Sequence, residues 1–113
     1  NRAMATDKSA IAIGNRANAS GQDSLALGKD SNASGDKGAM ALGGQAEATG
    51  NLSMASGYQA KASGKYSQAS GYQANASGDY SQASGFQAKA SGTNSTAVGR
   101  NATANSNQSI ALG

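Results

Sequence analysis

In this chain the small residues keep stricter time than the large ones. Cutting after each recurring glycine divides residues 1–113 into sixteen segments, fifteen of seven residues and one of eight, "DKGAMALG" at Asp36 to Gly43. With the seven positions lettered a to g, glycine closes fourteen segments, Asp7 and Ser106 being the exceptions. Position e is alanine in all sixteen, and position c is always alanine or serine. Large aliphatic residues gather at d and f of the even segments: Ile11 and Ile13, Leu25 and Leu27, Met40 and Leu42, Met54, Val98, Ile110 and Leu112. In the odd segments the same positions are mostly polar, as in Asn18 with Ser20, Glu47 with Thr49, and Lys61 with Ser63. The full period is therefore fourteen residues, as in "YQAKASGKYSQASG" at Tyr58 to Gly71.

A seven-residue rhythm raises the possibility of a coiled coil, and two facts reject it. Glycine costs about 1 kcal/mol in a helix interior, so fourteen of them would cost on the order of 14 kcal/mol with no large apolar seam in return. The invariant small positions c and e also lie two apart, which puts them on one side of a strand but on different sides of a helix. Glycine every seven residues without proline excludes collagen.

The pattern predicts a short strand over b to f in each segment, with a turn around g and a that glycine permits by reaching positive φ. Residues at c and e then share one face, and because they are only alanine or serine that face is crowded. The expected object is a narrow coil of parallel strands, two per turn, whose interior a methyl group fills. One turn is fourteen residues; about eight turns would rise roughly 38 Å. The aliphatic stripe cannot point inward and must project from one broad face. Ten such side chains are worth about 15–30 kcal/mol per chain if fully buried, as an upper bound. A stripe of that size marks an interaction surface, and self-association is expected.

Composition narrows the chemistry. The chain has no Cys, His, Pro or Trp, and 13% of its residues are charged. That leaves little catalytic equipment, no disulfide framework and no thiolate metal site, so neither an enzyme nor a cofactor is expected. The six acids form no paired carboxylates and no calcium repeat. A net charge of +3, scattered rather than blocked, does not make a nucleic-acid patch. The longest apolar run, Ala10 to Ile13, is too short to cross or contact a membrane as a helix.

The segments "SAIAIG" (Ser9 to Gly14), "DSLALG" (Asp23 to Gly28), "NSTAVG" (Asn94 to Gly99) and "QSIALG" (Gln108 to Gly113), alternating with "NRANASG" and "FQAKASG", resemble the head repeat of YadA-like trimeric autotransporter adhesins. The resemblance implies a left-handed parallel β-roll assembled as a homotrimer with its apolar sheets inward. It also implies display on a Gram-negative cell surface, tethered to the outer membrane through regions outside this chain. Residues 1–113 would be a single head of about eight turns, a fragment of a longer chain. The family binds host cells and extracellular-matrix proteins such as collagen, fibronectin and laminin. A structural spacer that lifts another adhesive domain is an alternative; an ice-binding solenoid using the hydroxyls at f of the odd segments is a weaker one.

On this reading the trimer interface comprises the stripe from Ile11 to Leu112. In the middle of the chain the stripe gives way to Gln68 with Ser70 and Gln82 with Ser84, while Tyr66 and Tyr80 appear at b, where a strand would share their face with d. These rings are expected to fill the same interface. A second aromatic column at a, Tyr58, Tyr72 and Phe86, reads first, like the Tyr66 and Tyr80 column, as a stabilising stack; lying farther from the axis, it is the better ligand candidate of the two, joined by Lys61, Lys89 and Asn94. Gln45, Gln59, Gln73 and Gln87 should form a stacked amide column. Gly38, in the eight-residue segment, should mark a bulge or an enlarged turn.

Overall fold

The computed structural model describes residues 3–113. Each segment supplies one strand, and the strands alternate in length. The two-residue strands are β1 (Met4–Ala5), β3 (Asn18–Ala19), β5 (Asn32–Ala33), β7 (Glu47–Ala48), β9 (Lys61–Ala62), β11 (Asn75–Ala76), β13 (Lys89–Ala90) and β15 (Thr103–Ala104). The three-residue strands are β2 (Ile11–Ile13), β4 (Leu25–Leu27), β6 (Met40–Leu42), β8 (Met54–Ser56), β10 (Gln68–Ser70), β12 (Gln82–Ser84), β14 (Thr96–Val98) and β16 (Ile110–Leu112). Odd strands form one parallel sheet and even strands the other. The chain is thus an all-β parallel solenoid of about eight turns with no helix among the described residues.

Register follows the repeat. Ala69 pairs with Ala83 and Ala76 with Ala90, each fourteen residues on. Leu25 pairs with Met40 because of the extra residue, after which the fourteen-residue step resumes. Hydrogen bonding identifies that residue as Asp36. The Gln22 N–H donates to the Asp36 carbonyl while the Gln22 carbonyl accepts from Gly38 N–H, so Lys37 and Gly38 take positions a and b and Asp36 widens the corner. Gly38 has φ 62°, the conformation found at b throughout.

The interior contains what c and e allow. The buried apolar residues are all alanines, from Ala17 to Ala104, and the buried polar side chains are the c-position serines. Ser31, Ser53 and Ser95 satisfy their hydroxyls by donating to the carbonyl three residues back, at 2.6–2.8 Å. Cα extents of 38 × 21 × 12 Å describe a thin flat rod.

The strands are shorter than the predicted b-to-f span, and the reason is local. From Ser9 to Gln108, every non-glycine residue at b has φ between 54° and 60°, in the left-handed region. The following c residue donates its N–H to the g carbonyl three residues earlier, as Ala60 does to Gly57 at 3.2 Å, closing a β-turn. Position b therefore belongs to the corner and shares no strand face with d. Positive φ at g occurs only where even segments end, as at Gly57 (129°). Glycine at the other g positions answers a packing demand: a Cβ on Gly64 would lie 2.0 Å from the Gly78 carbonyl oxygen of the next turn.

Candidate functional site

Three kinds of surface are available, each fixed by one set of repeat positions. The first is the outer face of the long-strand sheet. Ile11, Ile13, Leu27, Val98, Ile110 and Leu112 are exposed there, and Leu25, Met40, Leu42 and Met54 half-buried. Their neighbours one turn away are each other, as in the pairing of Ile11 with Leu25 and Ile13 with Leu27. The expected stripe therefore lies outside the tube. It stops at β10 and β12, where exposed Gln68 and Gln82 stand at d and half-buried Ser70 and Ser84 at f.

The second surface is the short-strand sheet with the b residues that lead into it. Gln59, Gln73 and Gln87 each donate a side-chain N–H to the amide oxygen of the glutamine one turn below, at 2.7–2.8 Å, continuing down to Gln45. Below that ladder Arg16 pairs with Asp30 through Nε to Oδ1 at 2.9 Å and Nη2 to Oδ2 at 3.2 Å. Lys61 reaches Glu47 at 3.8 Å, and Lys61 and Lys89 are exposed. A shallow groove lined by Asp30, Gln45, Glu47, Gln59 and Lys61 crosses this face. These contacts are surface-exposed and worth at most about 1 kcal/mol each as ion pairs. They define a flat, hydrogen-bonding face of mixed charge.

The third surface is the two narrow edges. At the corners before the short strands, Tyr58 stacks on Tyr72 with centroids 5.5 Å apart and Tyr72 on Phe86 at 5.2 Å. The guanidinium of Arg100 lies 5.2 Å above the Phe86 ring, and the Tyr58 ring rests on the backbone of Gly44, where a Cβ would lie 3.3 Å from it. At the corners before the long strands, Tyr66 stacks on Tyr80 at 5.1 Å. The sequence pattern places Tyr66 and Tyr80 on the face of the stripe; their left-handed backbone puts them at this edge instead. Asn94, one turn above Tyr80, has the same backbone and is exposed.

The signal for the b conformation was faint. Asp23, Asp30, Asn94 and Asn101 are residue types that tolerate the left-handed region, but Leu52, Tyr66 and Tyr80 occupy it equally. What holds them is the inter-turn ladder: Tyr66 N–H donates to the Asn51 carbonyl and Gln59 N–H to that of Gly44, both at 2.9 Å. Among the described residues no group of three His, Cys, Asp or Glu side chains could hold a metal ion.

Fold and surfaces together define a class: a repeat-built solenoid that presents faces rather than a cleft. Comparison with protein families gives the particular one. The model described as "YadA head domain repeat (2 copies)" matches residues 5–31, 19–46, 37–51, 48–67, 69–88, 81–102 and 90–113. The chain belongs to the YadA head family, whose members are surface-exposed heads of bacterial adhesins and not enzymes. Heads of this family form trimers and adhere to surfaces. A search of curated proteins finds no match.

Proposed function

We propose that this chain is the adhesive head of a bacterial surface protein, assembled as a left-handed homotrimer that attaches to host cells or extracellular-matrix proteins by multivalent contact. One observation carries the reading: an interior of alanine and serine leaves an aliphatic stripe on one broad face, with Leu27 42% exposed although coils lie both below and above it. Packing that stripe against two sister chains removes it from water, which is the largest favourable term open to a molecule with so small a core. The short-strand sheets then face outward. Three copies of a flat polar face with the glutamine ladder, Lys61 and Lys89 make repeated weak contacts with an extended ligand, and avidity replaces a deep pocket.

The test uses the 113-residue chain. Light scattering should give the mass of three chains, and the purified protein should bind at least one of immobilised collagen, fibronectin or laminin saturably. Lys61→Glu with Lys89→Glu should weaken that binding by roughly tenfold or more without changing the mass. A trimer that binds none of these ligands or host cells would instead be a spacer carrying another adhesive domain.

A further inference from the structure

The aromatic residues at the two edges and the gap in the aliphatic stripe fall at the same height. Tyr58 and Tyr66 belong to one coil, Tyr72 and Tyr80 to the next, and those two coils contain β10 and β12, which have Gln68, Ser70, Gln82 and Ser84 where other coils have aliphatics. Within a chain the two ring columns cannot meet, because the short strands run between them across a coil whose Cα width is 21 Å.

A ring of identical subunits brings them together. The stripe runs along the coil axis, so a rotation axis that buries it is parallel to the rod, and rotation about such an axis keeps every coil at its own level. Contacts in a closed ring of three are heterologous, so one edge of each subunit faces the other edge of its neighbour. The column of Tyr58, Tyr72 and Phe86 in one chain then lies opposite Tyr66 and Tyr80 in the next. The ladder suits that role. Gly44 lies against its lower end and Arg100 over its upper end, and Tyr58 and Phe86 remain 47% and 41% exposed. The ring surface left outside each stack is apolar and is removed from water by packing against the rings of the facing edge, whereas a flat sugar would need a free ring face.

Resting on the trimer reading, we infer that the middle coils are held by three inter-subunit aromatic seams, Tyr58 and Tyr72 of one chain against Tyr66 and Tyr80 of the next, around a centre lined by Gln68 and Gln82. The aliphatic stripe holds the coils below and above. Tyr58, Tyr72 and Phe86 are thereby assigned to assembly rather than to ligand contact.

Cross-linking tests this directly, since the chain has no cysteine of its own. The double variant Tyr58→Cys with Tyr66→Cys, treated with a bis-maleimide shorter than the 21 Å width, should run as a covalent trimer on a denaturing gel. Each single variant should stay a monomer, because a heterologous contact never brings an edge against its own copy. Tyr58→Cys with Ser9→Cys, four coils apart, should not cross-link. The seam is overturned if the double variant has the mass of three chains by light scattering, yet neither it nor Tyr72→Cys with Tyr80→Cys forms covalent species. It is equally overturned if single variants give dimers or the Ser9 pair cross-links as well. A mass of one chain for the unmodified protein would instead remove the trimer on which the seam rests.

Discussion

The coils at the two ends and the coils in the middle share one interior and differ on the outside. Around β4 and around β10 the tube is filled identically, with Ala26 and Ala69 both fully buried. On the outer face, Leu25 and Leu27 in the first region correspond to Gln68 and Ser70 in the second. The second region carries stacked tyrosines at its corners, and the first does not. Winding is thus encoded separately from association. Alanine and serine at c and e with glycine at g are enough to wind the coil, and d, f and the corners are left to decide what the coil touches.

The largest expected effect comes from placing charge on the end coils. Ile11→Asp with Leu25→Asp should dissociate the assembly to monomers by light scattering and lower the melting temperature sharply. Two large aliphatics worth about 1.5–3 kcal/mol each are lost, and on the proposed trimer carboxylates would enter a dry interface. The matched change in the middle, Gln68→Ser with Gln82→Ser, should leave the trimer intact. Equal losses in both would mean that the stripe and the polar gap contribute alike, contrary to the comparison.

Next in size is the interior, where the two regions should respond alike. Ala26→Leu and Ala69→Leu each force extra carbons into fully enclosed space and should destabilise by about 1–3 kcal/mol or more in thermal melts. A large difference between them would show that the outer surface alters the room inside.

The smallest effect belongs to the outward face. Gln73→Ala removes two amide hydrogen bonds of 2.8 Å from the ladder and should cost about 1 kcal/mol, read as a small shift in the melting midpoint with the mass unchanged.

Much of this fold is written plainly in the residues. Alanine at every e and alanine or serine at every c specify the interior, since no larger side chain interrupts them, and Ile11 through Leu112 are left outside by exclusion. The corners are less legible. A left-handed residue is ordinarily announced by glycine, asparagine or aspartate, yet Leu52 and Tyr66 adopt that conformation because hydrogen bonds to the coil below require it. That constraint comes from stacking and leaves only a faint mark in residue type, so Tyr66 and Tyr80 look like strand residues until the coil is closed. The extra residue is similar: "DKGAMALG" shows that one exists, while only the bonds of Gln22 identify it as Asp36.

Strands in this rod touch only those one or two places away along the chain. No contact reaches from one end to the other, so a whole fourteen-residue unit can be duplicated or lost and the units on either side still find the same partners. Gene slippage in such an array changes height in steps of one strand spacing, about 4.8 Å, without requiring any new chemistry. Copying alone can therefore set the length of such a head, while point substitutions at d, f and the corners change its surface and leave the winding as it was.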